Sequence, residues 1–309
     1  MKKLFLIVSV ALVTIGNVMA QDPAPKREGW QGDLYGDVVA VEVVTYVGAG
    51  RNMDYFSSEV YQFNDYGNVD CIQGYLLFGM PTHSIHYTYD DQQCLTVMEF
   101  RTDEDCLEGM YTYSYDENGN VVTSIEYDGE QTIKYKTLTQ FDSNNNKIEE
   151  VKYDGDAVDE RTTWAYNSRG ECIEKVQYDA DGSVKKYCYE YSEYLFNKPV
   201  SIHVYSGEGL SETLMSSYSI TYNTDGKMIE YNSYNANGEL KRMWSYKYDG
   251  GKLLEQTTYT VEDGELVAME RECYSYDHMG NISEIASFQN EGEGLQPFCT
   301  VAYLIRYKE

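Results

Sequence analysis

An aromatic residue directly before a polar turn recurs about every 26 residues along this chain, and no other feature limits the possible folds as strongly. The residues of this series are Phe63, Tyr89, Tyr115, Phe141, Tyr166, Tyr191, Tyr222, Tyr248 and Tyr276. A second series lies between them and consists of Phe100, Tyr127, Tyr153, Tyr178, Tyr205, Tyr234, Tyr259 and Phe288. Each repeat unit therefore holds two such aromatic positions, and a period of this length is typical of repeat arrays.

The segment from Tyr111 to Tyr127 shows what one unit contains. Before its turn, Tyr111, Tyr113 and Tyr115 alternate with polar residues, and after the turn apolar residues alternate again from Val121 onward. A period of two with apolar residues on one side is typical of half-buried strands, so the segment is predicted to be strand, turn, strand. From residue 21 onward no helical pattern of ten or more residues is found, so we expect no helix.

The turns share Asp or Asn at the first position and Gly at the fourth. These turns span residues 116–119, 167–170, 179–182, 223–226, 235–238 and 277–280. In the turn 142–145, Asn145 takes the place of the glycine. The first side chain can accept a hydrogen bond from the backbone two residues on, and Gly or Asn tolerates the left-handed conformation. The pattern predicts β-hairpins with a type I turn followed by a bulge.

The fold class predicted from these features is all-β. Two strands for every 26 residues amount to about twenty, in tandem hairpins that form one long, twisted or curled antiparallel meander sheet. A sheet this wide must twist, curl or close to cover its tyrosine-rich face, and the sequence does not decide whether it is open or closed. We expect a lead-in strand between Trp30 and Arg51, and a longer loop or insertion in 195–215. The first and last strands must be protected from edge association, and Lys308 and Glu309 are compatible with a charged edge.

The chain divides into three parts. Residues 1–20 are predicted to be a secretory signal peptide, because Lys2 and Lys3 precede an apolar stretch and small residues end it. Residues 21–29 are interpreted as a linker and 30–309 as a single β-repeat domain. No cysteine stands directly after the predicted cleavage site, so no lipoprotein anchor is expected, and no later apolar run is long enough for a membrane span. We therefore expect export to the periplasm, the cell surface or the medium.

The charge excludes one class of partner. The sequence has 51 Asp and Glu residues against 24 Lys and Arg, for a net charge of −27. Generic nucleic-acid binding needs clustered cations, so no nucleic-acid partner is expected.

The turn sequences at 113–120 (YSYDENGN) and 274–281 (YSYDHMGN) resemble the YD repeats of Rhs-type proteins. Looser copies at 87–90, 164–170, 220–226 and 246–251 follow the same pattern, so the resemblance extends over roughly 35–290. The chain also looks like short exported YD-repeat proteins of Bacteroidetes-type bacteria. In Rhs-type proteins the repeats curl into a β-shell around a C-terminal toxin. Because the repeats here run to Lys308 and Glu309, we expect no toxin domain, and the resemblance implies an architecture rather than an activity.

Seven cysteines are present in an expected oxidising compartment, so disulfides are allowed. Cys172 and Cys188 flank the turn at 179–182 almost symmetrically, which brings them near each other across a hairpin. The sequence therefore allows a disulfide between Cys172 and Cys188, with buried thiols as the alternative.

Metal sites are the next candidates. The segments 179–182, 154–156 and 116–118 place oxygen donors at alternate positions, as calcium loops do, but turn formation explains the same residues. His83 and His86 are three residues apart on a predicted strand, which places their side chains on opposite faces. We therefore predict no specific metal site and no cofactor, and weak calcium binding at the turns stays open.

The tyrosine ladders have two interpretations. Cross-strand tyrosine pairs stabilise a sheet, whereas exposed tyrosines beside Asp and Asn would form a surface on which sugars stack. We predict a non-catalytic structural or binding module at the cell envelope, with glycan or protein as ligand and with no catalytic residue. The alternative is a carbohydrate-active enzyme with two paired carboxylates, since 51 acidic residues leave many pairs open.

Overall fold

The computed structural model describes Trp30 and residues 34–49, 52–207 and 213–308. The signal peptide predicted at 1–20 and the linker at 21–29 lie outside these residues and stay predictions. The described residues are almost entirely β-strand and contain no α-helix. Among them there is also no helix with the length and apolar character needed to cross a bilayer.

Twenty strands follow one another along the chain, and one 3-10 turn, Leu77–Gly79, interrupts them. The strands are β1 Val38–Ala49, β2 Asn52–Phe63, β3 Val69–Leu76, β4 Met80–Tyr89, β5 Leu95–Thr102, β6 Leu107–Tyr115, β7 Val121–Asp128, β8 Ile133–Phe141, β9 Lys147–Asp154, β10 Ala157–Tyr166, β11 Cys172–Asp179, β12 Val184–Leu195, β13 Lys198–Gly207, β14 Thr213–Tyr222, β15 Met228–Asn235, β16 Leu240–Asp249, β17 Lys252–Glu262, β18 Glu265–Tyr276, β19 Ile282–Asn290 and β20 Leu295–Tyr307. The predicted all-β class and strand number are confirmed.

The sheet is closed, which corrects the prediction of a long meander with two edges. Every strand pairs antiparallel with the next along the chain. In addition β20 pairs with β1, from Val38 and Tyr307 to Val47 and Cys299. The twist of neighbouring strands adds up over such a wide sheet and brings its ends together. Pairing then satisfies backbone groups that two long edges would leave open.

Of the ways to protect the first and last strands, the structure uses pairing, so no charged edge is needed at the end of β20. The backbone N–H of Lys308 donates to the carbonyl of Asp37 at 2.7 Å, beside the β1–β20 seam. Glu309 lies outside the described residues.

Alternating side chains divide the sheet into two faces. Val41, Tyr61, Ile72, Ile85 and Phe100 are direct partners across five neighbouring strands and therefore share one face. We call this the tyrosine face, because it also carries the tyrosines before the repeat turns. The residues between them, beginning with Glu42, form the second face.

The turns follow the predicted chemistry. In the turn after β6, the carboxylate of Asp116 accepts the N–H of Asn118 at 2.9 Å, and Gly119 has φ +81°. Asn145, the predicted substitute for glycine, has φ +62°. A register shift lies between Ser114 and Tyr115, as expected for a bulge beside each turn.

The one apolar cluster in the described part of the chain lies at the β1–β20 seam. Leu34, Val38 and Val41 are buried there, and further side chains pack on them, namely Trp30, Val43, Tyr61, Phe63, Tyr303, Ile305 and Tyr307. Asn281, only 1% exposed, accepts the N–H of Tyr35 and donates to the carbonyl of Tyr35 and to the hydroxyl of Tyr307. The segment before β1 thus covers the seam on the tyrosine face.

Candidate functional site

The hairpin turns lie alternately at two ends of the closed sheet, because neighbouring strands are antiparallel. The turns after the even-numbered strands carry most of the predicted repeat signature, and we call that end the repeat rim. The turns after the odd-numbered strands form the opposite rim. The two rims use their side chains differently, and this difference locates the candidate site.

On the repeat rim, seven tyrosines each donate their hydroxyl to a backbone carbonyl near the start of the preceding strand. Tyr89 donates to the carbonyl of Val69 at 2.5 Å, and Tyr115 to that of Leu95 at 2.7 Å. The other five pairs are Tyr166 with Lys147, Tyr191 with Cys172, Tyr222 with Pro199, Tyr248 with Met228 and Tyr276 with Leu253. Each bond ties one hairpin to its neighbour. Phe141 interrupts this ladder because it has no hydroxyl.

Neighbouring turns of the repeat rim are also joined directly. The Lys198 ammonium donates to the carbonyl of Gly226 at 2.7 Å, and burial lowers the pKa of Lys198. The side-chain amide of Asn120 donates to Asn145 in the next turn at 3.2 Å. The polar side chains of this rim are thus engaged in holding the repeats together.

These contacts favour the structural interpretation of the tyrosine ladders. The seven hydroxyls are hydrogen-bonded within the sheet, and burial raises the pKa of Tyr191 to about 12 and the pKa of Tyr248 above its ordinary value. A surface for sugar stacking needs exposed rings and available hydroxyls. A ligand site is therefore expected elsewhere on the sheet.

The turn between β3 and β4, on the opposite rim, is unlike the others. Phe78 lies at its tip, 96% exposed, with φ 65° and ψ 22°. Leu76, Leu77 and Met80 beside it are also exposed. A left-handed backbone at a bulky residue costs roughly 1–2 kcal/mol, and complete exposure of an aromatic ring brings no packing in return.

Phe196 provides a matched comparison. It is the other aromatic residue with a left-handed backbone in the described chain, at φ 53°. Its ring, however, packs over Gly226 on the neighbouring turn, so the fold accounts for it. Nothing comparable covers Phe78, and backbone strain without a packing partner is a mark of functional loops.

Phe78 borders an open cavity on the second face, which we call the aromatic pocket. Its lining residues are Glu42, Tyr55, Ser58, Val60, Tyr75, Phe78 and Gly79. Its volume of about 510 Å³ lies within the range of small-ligand sites. Three aromatic rings, one buried hydroxyl and one carboxylate therefore meet at one place.

The strands fix most of these groups. Ser58 of β2 is the direct partner of Tyr75 in β3, and Glu42 of β1 is the direct partner of Val60. The Tyr55 hydroxyl donates to Ser58 Oγ at 3.1 Å. The ring of Tyr46 contacts that of Tyr55 edge to face, with centroids 6.3 Å apart. The floor of the aromatic pocket is thus held by sheet geometry, whereas Phe78 stands on the turn.

A second cavity, of about 340 Å³, lies between the turn after β18 and the end of β20, and is lined by Asp277, His278 and residues 303–307. We call it the seam cavity, because β20 forms one side of the β1–β20 seam. The polar side chains of Asp277 and Tyr307 in this cavity are already bonded within the fold. The Tyr307 hydroxyl donates to Asp277 and accepts from Asn281, and the rings of His278 and Tyr307 are in contact. We therefore assign the seam cavity a structural role.

The structure also places the residues singled out from the sequence. Cys172 and Cys188 lie in neighbouring strands, but Cys188 is the direct partner of Glu174, two residues from Cys172. Both cysteines are thiols in the structure, and burial raises the pKa of Cys172. The observed register does not bring the two opposite each other, and their disulfide stays a prediction.

The Asp-rich turns use their oxygens locally. Asp179 accepts from Lys185, Gln177 and Ser183, which together lower its pKa to about 2. The described residues contain no group of three or more potential metal ligands. His83 and His86 face opposite sides of the sheet, because their direct partners are Gly74 and Cys71.

The sequence analysis did not identify the aromatic pocket. A signal was present in residues 75–81, YLLFGMP, where an apolar run breaks the alternation of the strands and lacks the Asp or Asn of the repeat turns. The contribution of Glu42 could not be found in this way, because it depends on which strands are neighbours.

No protein-family model matches the chain, and no curated protein matches it. Among solved structures, it is similar to a porin-like protein from Bacteroides uniformis ATCC 8492, with 11% identity, a TM-score of 0.37, and coverage of 87% of this chain and 96% of the other. For TcdB2-TccC3-TEV, the identity is 12%, the TM-score 0.31, and the coverage 80% of this chain and 16% of the other. The chain thus spans about one sixth of that structure's length. Similarities at these TM-scores support no statement about function.

Proposed function

We propose that this protein is an exported, non-catalytic carbohydrate-binding module that holds its ligand in the aromatic pocket. The observation that carries the proposal is Phe78, an exposed aromatic side chain on a strained turn at the border of a preformed cavity. The closed sheet is the rigid scaffold, and the repeat rim maintains it.

The chemistry of the aromatic pocket suits a sugar. Aromatic rings pack against the apolar faces of pyranose rings, and tyrosine hydroxyls offer hydrogen bonds to sugar hydroxyls. Tyr55, Tyr75 and Phe78 supply the rings, and Glu42 and Ser58 add polar contacts. The open shape matches a ligand that remains part of a longer chain.

The non-catalytic part of the proposal rests on carboxylate placement. Hydrolysis of a glycosidic bond usually needs two carboxylates about 5–10 Å apart. The aromatic pocket has one, Glu42, and the seam cavity has one, Asp277, which is bonded to Tyr307. Binding without turnover fits this arrangement better than the paired-carboxylate alternative.

The predicted signal peptide supports export. Charged residues lie on both faces of the sheet, which supports contact with water on both sides. The tyrosine face carries ion pairs such as Lys147 with Glu150 at 3.0 Å. The second face carries pairs such as Arg161 with Glu149 at 2.7 Å. Cell fractionation with an antibody against the protein tests this part, and recovery in the cytoplasm would contradict it.

A glycan array with the protein lacking residues 1–20, read with and without calcium, tests the binding function. We expect binding to a defined set of glycans, and loss of at least tenfold in affinity for Phe78→Ala. The matched control is Phe196→Ala, which removes the other left-handed aromatic residue and should leave affinity unchanged. Absence of binding to any glycan, or equal binding by Phe78→Ala, would contradict the proposal.

A further inference from the structure

We propose that the aromatic pocket selects a sugar bearing a positively charged amine, with Glu42 as the counter-ion. This inference rests on the proposed carbohydrate binding and names the ligand class. Three observations support it: the position of Glu42 between apolar partners at the aromatic pocket, the aromatic rings around it, and the use of the same chemistry elsewhere in the chain.

Four glutamates of the second face are paired with a neighbouring cation. The pairs are Glu99 with Arg101 at 2.8 Å, Glu149 with Arg161 at 2.7 Å, Glu174 with Lys186 at 3.0 Å and Glu255 with Lys247 at 2.7 Å. In the described chain no cation pairs with Glu42, whose direct partners are Val60 and Leu304. A carboxylate placed between apolar partners at the wall of a cavity offers its charge to a ligand.

The surrounding rings favour the same kind of ligand. Tyr55, Tyr75 and Phe78 line the aromatic pocket together with Glu42. Aromatic rings attract cations through their negative faces, and a carboxylate beside them adds direct charge attraction. A neutral sugar would leave the charge of Glu42 without a partner, whereas an amino sugar would neutralise it.

The chain already uses cations over aromatic rings in its own fold. Lys152 lies 3.9 Å from the ring centre of Tyr135, and Lys147 lies 4.4 Å from that of Trp164. Both lysines also have a carboxylate partner, Asp159 at 3.5 Å and Glu150 at 3.0 Å respectively. The aromatic pocket has the ring and the carboxylate of this arrangement and lacks only the cation. The net charge of −27 adds long-range attraction for a cationic ligand.

Calorimetric titration with two disaccharides tests the inference at a pH of about 6, where an amine of ordinary pKa is protonated. The probes are the β-1,4-linked disaccharide of glucosamine and its N,N′-diacetyl form, which differ in charge and not in ring geometry. We expect the amine form to bind on the order of tenfold more tightly. Glu42→Gln should remove this preference. Glu284→Gln, which alters an exposed second-face carboxylate outside the aromatic pocket, should preserve it.

The possible results separate the two proposals. Equal binding of both disaccharides, unaffected by Glu42→Gln, overturns the cationic preference and leaves carbohydrate binding intact. A preference for the amine form that survives both Glu42→Gln and Phe78→Ala shows diffuse attraction to an acidic protein and also overturns it. No binding of either disaccharide, together with an empty glycan array, overturns the proposed function itself.

Discussion

The two rims of the closed sheet are made by the same chain, yet they are built in different ways. On the repeat rim, tyrosine hydroxyls, lysines and asparagines bond to the neighbouring hairpin, as Tyr115 does to Leu95 and Asn120 to Asn145. On the opposite rim, one turn exposes Phe78 on a left-handed backbone without a packing partner. The first rim holds the repeats in register, and the second carries the turn that we propose binds the ligand.

This difference shows where a repeat protein of this kind can vary without losing its fold. A residue of the repeat rim is fixed by the hairpin on either side of it. A residue at the tip of an opposite-rim turn makes fewer contacts with neighbouring hairpins, so a substitution there changes the surface and leaves the sheet intact. The comparison predicts opposite signs for the effect of mutations on stability at the two ends.

The largest effect is expected where the repeat rim meets the seam. Asn281→Ala removes three hydrogen bonds to Tyr35 and Tyr307 from a site that is almost fully buried. It removes these partners from the part-buried backbone of Tyr35 and from the Tyr307 hydroxyl, so we expect a loss of about 2–4 kcal/mol in the free energy of unfolding, measured by urea denaturation.

Asn120→Ala is the matched control, since Asn120 occupies the equivalent position of an ordinary turn after β6. Its side chain bonds to Asp116 and Asn145 near the surface, so a much smaller loss is expected. Equal losses for the two variants would show that the seam has no special role in closing the sheet.

The next effect has the opposite sign. Phe78→Asn replaces a strained aromatic residue by one that tolerates the left-handed conformation, so the protein should gain about 1 kcal/mol of stability while losing its ligand. Gly119→Ala, at φ +81° on the repeat rim, should instead lose about 1 kcal/mol. Urea denaturation and the glycan assay measure the two consequences separately. A Phe78→Asn protein that is less stable would mean that the turn serves the fold.

The sequence predicted the features that recur in every repeat unit, and it did not predict the features that occur once. Alternation and the Asp or Asn turns predicted about twenty strands, because each hairpin is specified by its own residues. Closure could not be decided from the sequence, because it depends on the fit of Val41 and its neighbours in β1 to Ile305 and its neighbours in β20, at opposite ends of the sequence. The aromatic pocket was missed for a related reason. Glu42 and Tyr75 meet there only because β1, β2 and β3 are neighbours, and Phe78 follows no repeat rule.

A smaller effect tests the tyrosine ladder at the place where it is interrupted. Tyr115→Phe removes the hydroxyl that donates to Leu95 and should lose about 1 kcal/mol. Phe141→Tyr places a hydroxyl at the equivalent position, where the carbonyl of Val121 is the expected acceptor, and should gain a similar amount. Thermal unfolding of both variants checks the pair. If Phe141→Tyr is destabilising, the equivalence of the repeats fails at β8.

The smallest effect compares how each rim holds its turn carboxylates. On the opposite rim, hydrogen bonds from Lys185, Gln177 and Ser183 lower the pKa of Asp179 to about 2, the ammonium of Lys185 contributing most. On the repeat rim, the pKa of Asp116 is lowered chiefly by the neutral amide of Asn120. Because both values lie below the ordinary value of about 3.9, each contact stabilises the fold above that pH. The stabilisation from Asp179 is lost as the pH falls to about 2.

NMR titration at low salt and in 1 M NaCl tests this difference between the rims. Salt screens the charge of the Lys185 ammonium but has little effect on the neutral amide of Asn120, so the pKa of Asp179 should rise in 1 M NaCl and that of Asp116 should stay unchanged. Equal responses of the two carboxylates would show that the rims do not differ in this respect.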